Sequence, residues 1–246
     1  MPIREVWRDW FGEFLRSVNS LELDKVDLYD TERAEKKSAA LALLARLLSE
    51  TQSALVLVDA GRDLAFRSTC RSAIECSLHL FLAETEDGYI DLLRSDDEVS
   101  RRSRAKKFMA NGAGKLAKEA EKHLQEFLRR SAGAKGKFQI SDIQTPFPRQ
   151  THVYREISAD SAHVTWTSLV RHLQEIRPGW IELKIEPSVT ESELEEAASI
   201  LAFSLLSGMR SLLNLVPVLE DKCNLEAIFE AYKTIYLSGK PKVVQK

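Results

Sequence analysis

Residues 62–85, RDLAFRSTCRSAIECSLHLFLAET, decide the fold. Read as a helix turning about 100° per residue, this stretch puts Arg67, Arg71, Glu75 and His79 on one slowly drifting stripe. The stripe overlaps the arc that holds Leu64, Ile74, Leu78, Phe81 and Leu82. The remaining arc is mostly small residues, Ala65, Ser68, Ser72, Ala73, Cys76 and Ser77 among them. A surface helix segregates charge from apolar side chains, and this one does not. It is therefore expected to be packed on most sides, with its ionisable groups turned inward or into a cleft. Buried charges have to be paired, so partners for the stripe are expected elsewhere in the chain.

The surroundings favour helices throughout. Only 10 Gly and 7 Pro in 246 residues leave little room for a turn-rich β architecture. The expectation is an all-α fold: a single-domain bundle over 1–246, with roughly six to eight helices around the central helix at 62–85. Residues 3–18 carry Trp7, Trp10 and Phe14 near one face and read as an opening amphipathic helix. Asp30 or Thr31 can cap a second helix with its body at 38–58, which Gly61 ends or kinks. After a turn at Asp87-Gly88, helical character runs over 89–130 with a break at Asn111-Gly112. Gly133, Gly136, Pro146 and Pro148 mark a mobile loop over about 131–150. A helix over 152–176 is stopped by Arg177-Pro178-Gly179. The alternating WIELKI at 180–185 allows at most one short hairpin. Thr190 with Glu193 forms a capping box that opens a helix running to Pro217. A last helix over 224–237 precedes a frayed tail at about 238–246.

Composition narrows the function classes. The net charge of −2 excludes a chain that is basic all over. Residues 101–137, however, hold twelve Lys or Arg against three acidic residues. Arg101, Arg102, Arg104 and Lys107 are thus candidates for holding RNA or another polyanion, with a solvated helix face as the plainer alternative. The three cysteines, Cys70, Cys76 and Cys223, lack a C-x-x-C pair and fit a reduced cytoplasmic interior. No metal-ligand spacing occurs, so neither a metal nor another cofactor is expected. The opening MPIREVWRDWFGEF has no signal-peptide core. The apolar window 200–219 contains Arg210, Asn214 and Pro217 and reads as a buried helix, so no membrane association is expected.

A second polar concentration lies at 154–172, YREISADSAHVTWTSLVRH. On one continuous helix Tyr154, Ser158 and Ser161 share a face and His163 falls on the opposite, core-facing side. If the helix breaks at Ser158 to Ser161, a Ser or Asp caps a new helix and His163 lies in its first turn, where a neutral imidazole is favoured. With the R-x-x-x-E of Arg71 and Glu75 and the Y-x-x-x-S of Tyr154 and Ser158, followed by His163, the chain resembles a widespread bacterial all-helical family of unknown function. That resemblance implies a helical fold and no particular reaction. A weaker likeness is to helical ribonucleases of bacterial toxin and defence systems, which place Arg and His as R-x4-6-H. Here Arg155 and His163 have seven residues between them, outside that pattern.

The candidate catalytic set is therefore His163, Arg71, Glu75, Tyr154 and Ser158, with Arg71 and Glu75 expected to face the helix bearing His163. Two functions follow. One is a non-catalytic interaction or accessory/effector module of a stress or mobile-element defence system, with a protein partner or a second copy of the chain. The other is a metal-independent, RNA-directed hydrolase using His163 with Arg71 or Arg155, whose segment 101–137 gathers substrate.

Overall fold

Gly61, at a φ of +70°, is the joint at which the chain folds back between two long packed helices. It ends α2 (Ala34–Asp59) and leads into α3 (Asp63–Thr85). The Arg62 N–H reaches the Leu57 carbonyl at 2.9 Å and the Gly61 N–H reaches that of Val58 at 3.1 Å. This is a helix-closing motif that needs a left-handed residue, and glycine adopts that conformation without a Cβ clash.

The computed structural model describes residues 3–21, 33–112, 117–133, 143 and 145–238. Among them are nine α-helices and one two-stranded antiparallel hairpin, an all-α bundle of the kind the periodicities predict. The other elements are α1 (Glu5–Asn19), α4 (Tyr89–Gly112), α5 (Lys118–Arg130), α6 (Pro148–Ile157), α7 (Trp166–Val170), α8 (Glu191–Leu215) and α9 (Leu225–Ser238). The hairpin is β1 (Leu173–Arg177) and β2 (Trp180–Leu183). The chain divides into two compact units, Met1–Thr85 with Ile143–Lys246, and Glu86–Asp142.

In the larger unit the core is formed by three helices. α3 packs against both α2 and α8, and α8 buries sixteen of its 25 residues. Among the described residues two helices, α2 and α8, are long and apolar enough to cross a membrane, and in α8 the apolar window is 78% buried inside the fold. The closeness of the packing shows at Gly208 on α8, where an added Cβ would lie 2.9 Å from Leu47 Cδ2 and 3.0 Å from Leu80 Cδ1. An aromatic cluster then fastens α1 and α9. Trp7, Trp10, Phe11 and Phe14 are buried, the Trp10 indole donates to the Ile228 carbonyl at 3.0 Å, and Tyr232 stands 6.0 Å from the Trp7 ring. The aromatic face of the opening helix is thus an internal docking face.

Several boundaries differ from the sequence reading. The expected helix over 152–176 is three elements: α6, one wider turn of π type at Ser158–Ala162, and α7. Its last stretch is not helical, because LQEIR pairs with WIEL in register Leu173↔Leu183 and Glu175↔Ile181, around Gly179 at a φ of +77°. The expected loop at 131–150 is helical at both described ends, a short 3-10 turn at Ser131–Gly133 and α6 from Pro148, whose ring suits the first helical position. Its residues 134–142 and 144 lie outside the described residues, as do the caps Asp30 and Thr31 and the tail beyond Ser238. The break at Asn111-Gly112 is where α4 ends.

Because Gly208 sits against fully buried Leu47 and Leu80, Gly208→Val is expected to overpack the α2, α3 and α8 contact. The expected loss is about 1–3 kcal/mol, read as a lower urea midpoint at unchanged slope.

Candidate functional site

Two arginines one turn apart on α3 reach across to the same short segment. Arg67 is almost fully buried and donates from Nη2 to Asp160 Oδ2 at 3.0 Å and from Nη1 to the Glu193 carbonyl at 3.0 Å. Asp160 lies in the π turn that closes α6 and is itself buried. The same Oδ2 also accepts from Arg171 Nη2, while Ser161 donates to Oδ1. Arg171 continues the chain of charge: it forms a two-point ion pair with the Glu193 carboxylate and donates to the Ser188 carbonyl at 3.0 Å. Two guanidinium groups and two carboxylates thus form a neutral quartet. It ties α3, the π turn, the residue after α7 and the first turn of α8 together.

The quartet explains the charge states in it. Burial by itself would raise the Glu193 pKa, but the Arg171 guanidinium and the backbone N–H and hydroxyl of Thr190 outweigh it and hold the carboxyl at about 2. The bond to Glu193 keeps Arg171 above the usual arginine range against the opposing effect of burial. The Thr190 and Glu193 capping box expected from the sequence is present, with the Glu193 N–H donating to Thr190 Oγ1 at 3.2 Å. One carboxylate therefore serves both as a helix cap and as an ion-pair partner.

Arg71, the next residue along the stripe, clamps α6. Its Nε donates to Ser158 Oγ at 2.8 Å, its Nη2 to the Tyr154 hydroxyl at 2.6 Å, and its Nη1 pairs with Glu75 Oε2 at 3.1 Å. Every nitrogen of the guanidinium has a partner. Ser158 in turn donates to the Tyr154 carbonyl at 2.7 Å. Burial, reinforced by the Glu75 charge and opposed by Arg71, raises the Tyr154 pKa, so its phenol is neutral at neutral pH. The ion pair is only half-buried, with 23% of the Arg71 and 34% of the Glu75 side chain exposed. Arg71, Glu75, Tyr154 and Ser158 are thus brought together, whereas His163 is not among them.

His163 follows the π turn in extended backbone, φ −122° and ψ 151°, and is exposed. The core-facing orientation fails because the π turn, with more residues per turn, lowers the rotation per residue, and the chain leaves the helix at His163. Thr165, not a Ser or Asp of 158–161, caps α7 by accepting from the Ser168 N–H, which leaves His163 ahead of that helix rather than in its first turn. Arg155 is exposed on α6. Among the described residues the Ser158 hydroxyl is bonded to the Arg71 guanidinium and the Tyr154 carbonyl and not to a histidine or a carboxylate. Among the described residues no group of three or more His, Cys, Asp or Glu side chains could hold a metal ion.

Beside the quartet lies a cleft of about 440 Å³, lined by Arg62, Ser68, Thr69, Ser161, His172 and Glu186 together with Leu64, Ala65 and Pro187. Arg62 and Glu186 form an ion pair at its rim. The His172 Nδ1 is 2.9 Å from the Lys184 carbonyl, which fixes the ring and places the proton on Nδ1. Sequence reasoning missed this wall, since its residues come from three distant stretches and carry no spacing. It also missed Asp160, Arg171 and Glu193 as partners for the stripe, although the demand for buried counter-charges pointed to such groups.

In the smaller unit, Arg101, Arg104, Ala105, Phe108, Leu124 and Phe127 line a groove of about 490 Å³ between α4 and α5. The Arg101 guanidinium sits 5.6 Å from the centre of the Phe127 ring. Arg102 differs from its neighbours: it donates to the Leu128 carbonyl at 2.6 Å and to Ser131 Oγ at 3.3 Å, closing the end of α5. Arg101, Arg104 and Lys107 are exposed.

Residues 37–178 match the family of unknown function DUF5677. The chain belongs to this family. The matched residues of this DUF5677 protein include Arg67, Arg71, Asp160 and Arg171, while Glu193 and β2 lie beyond them. Searches of curated proteins and of solved structures return no match.

Asp160→Asn leaves the buried Arg67 guanidinium without its carboxylate and the half-buried Arg171 with Glu193 alone. The expected cost is about 3–5 kcal/mol, against under about 1 kcal/mol for Glu75→Gln in its half-exposed pair; urea denaturation of the two variants measures the contrast. The lowered Glu193 pKa also sets a pH dependence. A carboxylate depressed in the folded state contributes stability above its ordinary pKa and loses it as pH falls toward about 2. The wild-type melting temperature is expected to drop as pH falls from about 5 toward 2, and Glu193→Gln to flatten that part of the profile.

Proposed function

We propose that this chain is a non-catalytic helical interaction module that docks another protein through residues 164–185. One observation carries the reading. Of the seventeen large apolar side chains exposed among the described residues, ten fall in this segment, from Val164 and Trp166 through Trp180 and Leu183 to Ile185. Scattered exposed apolar residues are ordinary, but a concentration on one short helix and a hairpin marks an interaction surface. The hairpin is exposed along both strands, and a two-stranded hairpin in water is marginal by itself. The quartet supplies the anchorage: Arg171, two residues before β1, is held to the buried pair of Arg67 and Asp160. Arg71, Glu75, Tyr154 and Ser158 then act as a clamp and not as a catalytic set. An accessory or effector role in a stress or defence system, in the cytoplasm, carries over from the sequence resemblance and from three free cysteines. The hydrolase alternative gains no comparable support, since Arg71 is committed to Tyr154, Ser158 and Glu75 while His163 stands exposed.

A photoactivatable side chain at Ile181 is expected to give a discrete protein adduct in the source cells, one that Leu183→Asp abolishes and that the same group at exposed Ala45 on α2 does not form. No adduct at Ile181 contradicts the docking reading.

A second reading belongs to the smaller unit, favoured by the groove that sets Arg101 and Arg104 beside Phe108 and Phe127. Guanidinium and aromatic faces together suit a flexible polyanion such as single-stranded RNA. Arg101→Glu with Arg104→Glu is expected to weaken RNA or heparin retention and flatten its dependence on salt. Arg102 is left out of the test because its bonds to Leu128 and Ser131 are structural. Unchanged retention makes the groove an ordinary solvated face.

A further inference from the structure

We propose that the free edge of β2 pairs with β2 of a second copy of this chain about a twofold axis at Leu183, forming a four-stranded antiparallel sheet. The proposal rests on the docking reading and names its partner. The first argument is the parity of the ladder. Along a strand, backbone N–H and C=O groups point alternately to the two sides. The Lys184 N–H donates to the His172 carbonyl at 2.7 Å, so Lys184 and, two residues back, Glu182 turn their backbone groups toward β1. Ile181 and Leu183 then turn theirs to the other side, and Ile185, in the bend that follows β2, straightens onto that edge in the dimer. The sheet has two strands, so among the described residues that edge has no partner strand. The same three side chains are 65%, 74% and 88% exposed.

The second argument is that the edge is self-complementary in one register only. With the axis at Leu183, that residue pairs with itself in a hydrogen-bonded pair and Ile181 pairs with the partner's Ile185. Glu182 then lies opposite the partner's Lys184, in a pair without backbone hydrogen bonds, where cross-strand side chains approach most closely. The pair occurs twice in the dimer, by symmetry. An axis at Glu182 sets that carboxylate against its own copy, and an axis at Lys184 does the same for the ammonium; like charges directly opposite disfavour both. An axis at Ile185 requires an N–H from Pro187 opposite Leu183, which proline lacks, and it draws on Glu186, already paired with Arg62. An axis at Ile181 sets the turn residue Gly179, at a φ of +77°, opposite Leu183. The apolar face made by Leu173, Ile181 and Leu183 becomes continuous across the dimer. An isologous contact of this kind closes after two copies and does not propagate.

The test uses the full chain and sedimentation velocity across a concentration series. The wild type is expected to dimerise, and Glu182→Lys and Lys184→Glu each to weaken dimerisation at least about tenfold by setting like charges opposite one another. An equimolar mixture of the two variants, and the chain carrying both exchanges, are expected to dimerise again, because every cross-strand pair is then opposite in sign. Both positions are on the hairpin surface, and an unchanged far-ultraviolet spectrum checks that the fold is intact. A wild type that stays monomeric, single variants that dimerise as tightly as it does, or a mixture that stays monomeric each overturns the proposal. A monomeric wild type that still forms a heterologous adduct at Ile181 refutes the second copy and leaves the docking reading standing. A monomer without any adduct refutes both.

Discussion

One carboxylate, that of Asp160, is held between the guanidinium groups of Arg67 and Arg171, and the arrangement of the candidate site follows from that constraint. Neither arginine can be buried alone, because an uncompensated charge in the interior costs far more than a surface ion pair returns. Glu193 completes the balance. The partners come from α3, the π turn, the start of the hairpin and the start of α8, so charge neutrality requires that these four segments meet. Apolar packing of α2, α3 and α8 provides most of the driving force, since hydrophobic burial is non-directional and large. The quartet adds direction by fixing which turn of α6 rests on which turn of α3.

The same constraint accounts for an otherwise odd feature, a hairpin with little core of its own. β1 starts two residues after Arg171, and β2 leads back through Glu186, paired with Arg62, to the Thr190 cap of α8. Both ends are therefore anchored while the strands between them project. Anchored ends with an exposed, alternating, apolar and charged edge suit a segment that waits for another strand. Membership of DUF5677 adds no reaction to this picture. The committed hydrogen bonds of Arg71 and Ser158 suit a clamp better than a reactive centre.

Much of the fold was legible because long helices announce themselves by period and by their stops. Gly61, the break at Gly112, the Thr190 and Glu193 cap and the stop at Pro217 depend on local backbone chemistry, which a short window of sequence contains. The mixed character of the 62–85 helix was legible for the same reason: charge on an arc that also carries leucines has to find partners. Their identity was not legible, since neither a continuous helix nor a break at Ser158 to Ser161 shows that Asp160 and Arg171 face Arg67. A wider turn leaves no mark in hydrophobic periodicity, and it is what turns His163 outward. The Leu173 to Arg177 stretch was lost to the helix reading because its pairing with Trp180 to Leu183 is a non-local fact about register. WIELKI alone carried the strand signal.

The central claim is that the charge quartet fastens the segment from the π turn to the α8 cap onto a core that stands without it. Amide hydrogen exchange, followed peptide by peptide in the wild type and in Asp160→Asn under native conditions, tests this most directly, because it reads local opening rather than total stability. Exchange in the variant is expected to speed up across 158–190, hairpin ladder included, while the buried middles of α3 and α8 keep their protection. Equal exchange over 158–190 in the two proteins would contradict the claim.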